Sequence, residues 1–356
     1  MTTEQSPPSE DTDVPAAIET HGLSLTYSDG TRAVEDVSLR VPEGEFFGFL
    51  GPNGAGKTTT IKVLATLLKP TGGDVRVNGY DVTERPQAVR ESIGYMAQET
   101  SVDEELTARE NVRFACEVYG VPRGERADRI DELLDLVDLA DVADKRAGEF
   151  SGGMKKRLDA ATALVHRPPL VFLDEPTTGL DPKARNRLWE YFRDINDRGT
   201  TVFLTTQYLE EADELCDRLA VIQAGEIVAT DAPDVLKSRV GGDVLDVTFD
   251  DPDSGDLDRA EREVRALDAF ADATVDVADD GLTVTSEHAR NAGPELLVTL
   301  RDAGLPVTGF DVRSPTLDDV FLALTGDADA TEADNDSDAE TRESPASDAT
   351  GAEVSR

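Results

Sequence analysis

The sequence predicts an α/β protein in which a large domain of mixed sheet and helices precedes a small α+β domain. Three observations support this prediction. A Gly-rich loop lies between an apolar run, Phe46–Leu50, and a helix-like segment, Thr58–Leu68. A second apolar run, Leu170–Leu173, ends in two carboxylates, which is typical of a buried parallel strand at a ligand-binding edge. Beyond residue 242, strands and helices alternate in an order of their own.

Composition limits the class of protein. The 356 residues hold 74 Asp and Glu against 35 Lys and Arg, which gives a net charge of −39. Such an acid excess opposes binding to nucleic acid and to anionic membrane surfaces. A merely solvated surface is one interpretation. Adaptation to molar salt is the favoured one, because a charge of this size would repel itself strongly in dilute buffer.

Cysteine usage and hydropathy indicate a chain of the reducing cytoplasm that does not itself cross a membrane. Cys116 and Cys216 lie far apart, without metal-site spacing or a disulfide framework. No apolar run approaches the ~20 residues that a membrane-spanning helix needs, and the N-terminus does not resemble a signal peptide. Residues 1–16 and 326–356 are predicted to be disordered acidic tails, since they are poor in large apolar side chains.

The large domain is predicted to span residues 17–238. Two strand patterns around the turn Ser28-Asp29-Gly30 predict an N-terminal antiparallel β-subdomain, which the Gly-rich loop and its helix follow. Apolar residues at helical spacing predict helices at about 102–147, within a helical subdomain that we place at about 95–165. The carboxylate-ended strand, a further buried strand at 202–204 and a hairpin that turns near Ala224-Gly225 complete a mixed sheet.

The small domain is predicted to span residues 242–325. The turn Asp280-Gly281 between two alternating runs is a strong hairpin signal. The predicted elements are strand 244–249, helix 256–270, strands 274–277 and 282–284, helix 292–303, strand 307–312 and helix 317–324. This β-α-β-β-α-β-α order predicts a small α+β sandwich, in which we recognise no chemistry.

The Gly-rich loop has the composition of a phosphate-binding site. Its residues match G-x-x-x-x-G-K-[ST] and are Gly51, Pro52, Asn53, Gly54, Ala55, Gly56, Lys57, Thr58 and Thr59. The glycines let backbone N–H groups turn inward around an anion, and the following helix adds its positive end. Lys57 is predicted to reach the β- and γ-phosphates of a nucleoside triphosphate, and the Thr58 hydroxyl to ligate Mg²⁺.

Two carboxylates and a capped helix supply the remaining chemistry. Asp174 is predicted to hold Mg²⁺ through its water shell, since this ion retains waters and takes few carboxylates. Glu175 follows it directly, where it can polarise the water that attacks the γ-phosphate. Upstream, Ser151 is a good N-cap, and Gly152 and Gly153 let a phosphate approach the N–H groups of the next helix.

Together these motifs resemble the ATP-binding cassette (ABC) ATPases, which are P-loop NTPases, over roughly residues 18–238. The Gly-rich loop is similar to the family's Walker A, Leu170–Glu175 to its Walker B, and Ser151-Gly152-Gly153 to its signature motif. The resemblance implies that Gln98 contacts Mg²⁺ and the attacking water, and that Tyr27 stacks on adenine.

Two residues depart from the family pattern. Met154 stands where the signature usually has glutamine, and Gln207 stands where a histidine contacts the γ-phosphate. Gln207 is counted among the catalytic residues, but glutamine can donate a hydrogen bond and cannot become a cation. With the stretch Ser314–Phe321, both features resemble the daunorubicin-resistance type of drug-exporter ATPases, in which glutamine replaces this histidine.

The resemblance also implies ligands and partners. ATP and Mg²⁺ are the expected ligands, and the expected assembly is a head-to-tail homodimer in which each ATP lies between Walker A of one copy and the signature of the other. A separately encoded transmembrane permease would hold this dimer on the inner face of the cell membrane and export drug-like or hydrophobic compounds. Taken together, the resemblance and the acidic composition suggest a halophilic archaeon as the source of the chain. Nucleic acid is not an expected partner.

Three alternatives stay open at this point. A non-transport ABC protein would carry two cassettes or a long coiled coil, whereas this chain has one Walker A and no such insertion. The second alternative is an importer ATPase. The domain that follows the cassette separates it from an exporter ATPase, and in this chain that domain resembles the exporter type. The third alternative is a nucleotide-gated interaction module that binds ATP but hardly hydrolyses it, which the glutamine at position 207 motivates. Comparing the ATPase rates of the wild type and Glu175→Gln separates it from an enzyme.

Overall fold

The computed structural model describes residues 14–239, 241–250, 252, 254–278 and 280–324. The chain forms two compact units that part between Gly241 and Gly242. The predicted disordered tails lie outside the described residues, except for 14–16, and Ala16 already belongs to the first strand.

The first unit contains two sheets with helices packed against them. In chain order its elements are β1 (Ala16–Thr26), β2 (Arg32–Pro42), β3 (Phe46–Leu50), α1 (Lys57–Leu64), β4 (Gly72–Val77), β5 (Tyr80–Asp81), α2 (Pro86–Glu91), β6 (Ile93–Met96), α3 (Ala108–Val118), α4 (Arg126–Leu136), α5 (Gly152–Ala163), β7 (Leu170–Asp174), α6 (Pro182–Asp197), β8 (Thr201–Thr206), α7 (Leu209–Leu215), β9 (Arg218–Gln223), β10 (Glu226–Asp231) and α8 (Pro233–Ser238). The two hairpins predicted in this unit correspond to the antiparallel pairs β1–β2 and β9–β10.

The central sheet determines where the functional residues lie. Its strand order is β10-β9-β3-β8-β7-β6, with β10 antiparallel to β9 and the other neighbours parallel. Every residue of β3, β7 and β8 is buried, as expected for parallel strands covered on both faces. Because parallel strands end at the same edge of a sheet, the loops that follow these three strands meet there. Asp174 and Thr205 are direct cross-strand neighbours at that edge.

The second sheet is antiparallel and contains the first two strands of the chain. Its strand order is β2-β1-β4-β5, so β1 pairs with β4 as well as with its hairpin partner. Ile18 and Leu23 of β1 belong to the same buried apolar cluster as Phe47 and Phe203 of the central sheet. One hydrophobic core therefore joins the two sheets.

Two predicted helical regions have different limits in the structure. The helix predicted at Thr58–Leu68 corresponds to α1, which ends at Leu64, and Thr66 has a positive φ of 62°. The helical subdomain predicted at about 95–165 has its helices in α3, α4 and α5. Its first residues belong instead to the central sheet, because residues 93–96 form β6 and pair with β7.

The second unit is an α+β sandwich. Its elements are β11 (Asp243–Phe249), α9 (Ser254–Ala266), β12 (Thr274–Val277), β13 (Gly281–Ser286), α10 (Ala289–Asp302) and β14 (Val307–Arg313), followed by helical residues 317–324. The strand order is β12-β13-β11-β14, and one apolar face of the sheet packs on α9 and α10. The order of elements is the one predicted from the sequence.

Within the described part of the chain, no helix is both long enough and apolar enough to span a bilayer.

Candidate functional site

The phosphate loop leaves β3 at the edge of the central sheet and leads into α1. Gly51 and Gly56 are the positions where a side chain is excluded, because an added Cβ would lie 2.3 Å from the Ile222 carbonyl oxygen and 2.4 Å from that of Ala33. Gly56 also has a φ of 108°, a conformation that favours glycine. The loop therefore needs glycine where it touches neighbouring backbone, and it ends at a helix N-terminus, where an anion is favoured.

The outer part of the loop is open to solvent. Pro52, Asn53 and Gly54 are exposed, whereas Ala55 and Gly56 are buried.

Lys57 provides a fixed positive charge at the base of the loop. It is 4 % exposed, and its Nζ donates hydrogen bonds to the carbonyl oxygens of Gly51 at 2.7 Å and Pro52 at 3.1 Å. The same Nζ lies 3.5 Å from Glu175 Oε1. A buried ammonium group needs such partners, because an unpaired charge in a low dielectric is costly.

Asp174 and Thr58, both predicted as cation ligands, are brought together. Asp174 ends β7 and is 1 % exposed. Its Oδ1 accepts hydrogen bonds from Thr58 Oγ1 at 3.2 Å and from Thr205 Oγ1 at 2.7 Å. Among the described residues, no cluster of three or more Asp, Glu, His or Cys could hold a metal. This pair of oxygen ligands instead suits a small hard cation that takes most of its ligands from phosphate and water.

Glu175 and Gln98 form the second part of the site. Glu175 has a φ of 48°, a strained conformation of the kind found at functional sites, and its N–H donates to the Thr205 carbonyl oxygen at 3.0 Å. Its Oε2 accepts a hydrogen bond from Gln98 Nε2 at 3.1 Å, while its Oε1 faces Lys57. Residues from three separate segments thus meet around one buried carboxylate.

Tyr27 lies beside the phosphate loop, immediately after β1. Its hydroxyl is 3.0 Å from Thr59 Oγ1, and the residue is 40 % exposed. An accessible aromatic face next to an anion loop suits stacking on a planar base.

The signature residues form an open helix N-terminus. Ser151 caps α5, and its Oγ accepts a hydrogen bond from the Met154 N–H at 3.3 Å. A Cβ added at Gly152 would meet no atom within 4 Å, whereas one at Gly153 would lie 2.9 Å from Ala184 Cβ. In the described parts of the chain, no hydrogen bond connects these three signature residues with the phosphate loop.

Gln207 follows β8 and therefore lies at the same sheet edge as the loop after β7. Its side chain is half-buried, and it makes no hydrogen bond to another described residue. The segment after it is anchored by the fully buried Glu211, whose Oε1 accepts a hydrogen bond from Trp189 Nε1 at 2.9 Å. Burial raises the pKa of Glu211.

Three residues that the sequence analysis does not single out contact the predicted site or the loop that carries Gln98. Thr205 binds Asp174 and follows from the expectation that adjacent parallel strands end together. Lys156 donates from Nζ to the Gln98 carbonyl oxygen at 2.7 Å, and Asp159 Oδ1 accepts from the Ser101 N–H at 3.2 Å. No local pattern indicates these last two contacts, because each joins α5 to a loop 58 residues earlier in the chain.

The fold and the site define a class of protein. A glycine-lined loop with a buried lysine, a carboxylate paired with a threonine hydroxyl and a second carboxylate held by glutamine suit cleavage of a terminal phosphate. On a mixed, mostly parallel sheet with a helical subdomain, these features are those of an ATPase of the P-loop class.

Comparisons with known proteins agree for both units. The family described as ABC transporter matches residues 34–178, and the family described as ATP-binding protein DrrA1-3-like, C-terminal domain, matches residues 232–325. The daunorubicin/doxorubicin resistance ATP-binding protein DrrA of Streptomyces peucetius is 45 % identical over 312 residues, 87 % of this chain and 92 % of the relative. The Nod factor export ATP-binding protein I of Burkholderia orbicola is 39 % identical over 312 residues, 87 % of this chain and 97 % of the relative.

Solved structures give the same fold. The chain is similar to cbiO1 from Clostridium perfringens, described as part of an ABC transporter complex, with a TM-score of 0.59 and 27 % identity over 63 % of this chain and 91 % of the other. A dimeric ATP-binding cassette in a post-hydrolysis state with ADP and Pi gives a TM-score of 0.56 and 28 % identity, covering 60 % of this chain and 98 % of the other.

The chain therefore belongs to the ATP-binding subunits of ABC transporters, in the daunorubicin-resistance type. It is an ATPase, and the predicted fold class is confirmed.

Proposed function

We propose that the chain powers an exporter by binding and hydrolysing MgATP between two copies of itself on a separate membrane permease. The observation that carries this proposal is the connected group around Glu175, in which Lys57 and Gln98 both contact the carboxylate. The isolated N-terminus of α5 supports the dimer, since it offers a phosphate-accepting end that the same copy leaves unused.

Each residue of the group has a role that follows from its position. Lys57 exchanges its contact with Glu175 for the β- and γ-phosphates and neutralises their charge. Glu175, released from this ion pair, accepts a hydrogen bond from the attacking water and polarises it. Gln98 donates to Glu175 and keeps its carboxylate aimed at that water. Gln207 offers one further hydrogen bond to the γ-phosphate.

Mg²⁺ fits the oxygen ligands of the site. Thr58 and Asp174, with the amide oxygen of Gln98, are the groups that would hold it. When bound, the ion would supply positive charge that offsets the negative charge of the phosphates. Thr205 keeps Asp174 in place through its 2.7 Å hydrogen bond.

The dimer completes each nucleotide site. Ser151 and the N–H groups of the exposed Gly152 and the half-buried Gly153 would cap the phosphates of ATP held on Lys57 of the other copy. ATP therefore favours the closed dimer, and loss of the γ-phosphate contact lets it reopen, as a ligand that binds two states unequally must do.

Relatives support the exporter assignment and the kind of compound moved. Their names refer to daunorubicin and doxorubicin resistance, linearmycin resistance and Nod factor export. The match of the second unit to the C-terminal domain of the drug-resistance type favours an exporter over an importer. We propose drug-like or hydrophobic compounds as cargo, and a place on the cytoplasmic face of the cell membrane through the permease.

The charge of the chain bears on the salt concentration at which the protein works. A net charge of −39 supports the proposal that the protein works in molar salt, in a halophile such as a halophilic archaeon.

Steady-state ATP hydrolysis in molar KCl tests the catalytic assignment. Replacing Glu175 by Gln removes the group that polarises water, and we expect kcat to fall by about 10²- to 10⁴-fold with ATP still bound. Glu190→Gln, a like change at an exposed position of α6, is the matched control and keeps the wild-type rate. Equal, near-zero rates for the wild type and Glu175→Gln would refute hydrolysis and favour the nucleotide-gated interaction module instead.

A further inference from the structure

Helix α5 holds the loop that carries Gln98 at two points. Lys156 Nζ donates to the backbone carbonyl oxygen of Gln98 at 2.7 Å. Asp159 lies three positions further along the same helix. Its Oδ1 accepts hydrogen bonds from Ser101 Oγ at 2.5 Å and from the Ser101 N–H at 3.2 Å. Residues three apart lie on the same face of a helix, so both contacts come from one side of α5.

Neither side chain is an ordinary solvated surface group. Asp159 is 2 % exposed, and its Oδ2 is buried without a hydrogen-bond partner among the described residues. Burial raises the pKa of Asp159 and lowers the pKa of Lys156, although the carboxylates of Asp159, Asp174 and Glu175 raise the pKa of the lysine. Placing a buried carboxylate and a half-buried ammonium group on this side of α5 is unfavourable unless they form hydrogen bonds, and the bonds that they form hold the Gln98 loop.

Gln98 is the residue in this loop whose position matters for chemistry. It lies two residues beyond the end of β6, in a segment without helix or strand, and it is exposed. Its Nε2 nevertheless has to stay 3.1 Å from Glu175 Oε2. A loop residue without regular structure does not keep such a distance by itself, and the carbonyl bonded by Lys156 belongs to this same residue.

We propose that Lys156 and Asp159 form a clamp by which α5 holds Gln98 against Glu175, which makes both of them positioning residues for ATP hydrolysis. The proposal rests on the proposed function of Gln98 and Glu175. It adds a link between the signature and the reacting group, because the helix that Ser151 caps also fixes the glutamine of the same copy.

Hydrogen exchange of the nucleotide-free chain tests the clamp without any catalysis. In Lys156→Met we expect faster amide exchange in residues 98–102, and wild-type exchange in β3 and β7. Lys156→Arg keeps a hydrogen-bond donor at this position, so residues 98–102 are expected to exchange as slowly as in the wild type. Lys155→Met is the matched control: this neighbouring lysine pairs with Glu104 instead, so residues 98–102 keep their protection.

Kinetics test the consequence. Lys156→Met is expected to lower kcat by about 10- to 100-fold, the size of effect produced by a displacement near 1 Å, with little change in ATP affinity. Lys156→Arg keeps most of the rate. Should Lys156→Met not fold, Ser101→Ala removes one hydrogen bond to Asp159 from the exposed side of the loop, and a smaller loss in the same two measurements is expected.

The outcomes separate the clamp from the proposed function. Unchanged exchange at residues 98–102 overturns the clamp, whatever the rate. Faster exchange with an unchanged kcat overturns its positioning role. A chain in which wild type and Glu175→Gln hydrolyse equally slowly refutes the proposed function, whereas the exchange result still reports on the clamp.

Discussion

Glu45 lies directly before β3, and its side chain is only 11 % exposed. Burial raises its pKa to about 7, although Arg218, whose Nε is 3.2 Å from Oε1, and Arg40 lower it; Asp217 raises it further. The other oxygen, Oε2, is buried and has no hydrogen-bond partner among the described residues. The folded state therefore binds a proton on Glu45 more tightly than the unfolded state does, so this side chain makes stability depend on pH.

The direction of that dependence follows from the two pKa values. The stabilisation from neutral Glu45 is fully present below its ordinary pKa of 4.5 and is lost as the pH rises through about 7. At about 1.4 kcal/mol per pKa unit, the loss amounts to about 3 kcal/mol at most. We expect Glu45→Gln to remove this loss, so that the variant gains on the wild type in unfolding free energy between pH 5 and pH 8.

Denaturant unfolding at constant salt measures this change. Trp189, the single tryptophan of the chain, is buried in the same unit and reports its unfolding. Glu43→Gln, at an exposed position two residues earlier, serves as control and is expected to follow the wild type. If Glu45→Gln kept the wild-type dependence on pH, ionisation of this side chain would not limit stability.

At the scale of elements, the sequence predicts the helices and strands that depend on residues close together in the chain. The hairpins β1–β2 and β9–β10, the acid-ended strand β7 and the order of the second unit all show their periodicity and turn residues in the sequence. β6 was missed because it is four residues long and contains Gly94, and its strand character comes from pairing with β7. α1 was predicted too long because apolar residues continue to Leu68, whereas the positive φ of Thr66 ends the helix.

The site likewise has a part that the local sequence predicts and a part that only the folded chain shows. The types and spacing of Lys57, Thr58, Asp174 and Glu175 predict their chemistry, because a phosphate loop and an acid-ended strand are each continuous in sequence. Which side chains hold these residues depends on contacts between distant segments. The strand order places Thr205 beside Asp174, and the packing of α5 places Lys156 on the Gln98 loop. Contacts of this kind require the folded chain.

At the scale of the whole molecule, ATP should decide whether the chain is a monomer or a dimer. Glu175→Gln is expected to bind ATP without cleaving it. For this variant we expect light scattering in molar KCl to show the mass of two chains with ATP and of one chain without it. Adding Ser151→Arg fills the open end of α5 and should prevent the dimer, because that N-terminus can no longer receive phosphate. Ser238→Arg, at the exposed last residue of α8, is the matched control and should leave the dimer intact. A single-chain mass at saturating ATP would rule out the head-to-tail assembly.

The net charge of −39 makes salt a determinant of stability for the chain as a whole. Raising KCl from about 0.1 M to about 2 M shortens the screening length from about 10 Å to less than about 3 Å, which weakens repulsion between carboxylates that are not in contact. We expect the unfolding temperature read from Trp189 fluorescence to rise by roughly 10 °C, corresponding to a few kcal/mol for a unit of this size. A variant with four exposed acids neutralised, E84Q, D135N, D141N and D197N, has less charge to screen and should gain less from the same salt. An unfolding temperature that does not rise with KCl would contradict the proposed adaptation. If wild type and variant gained equally, the stabilisation would come from a general salt effect and not from screening of this surface.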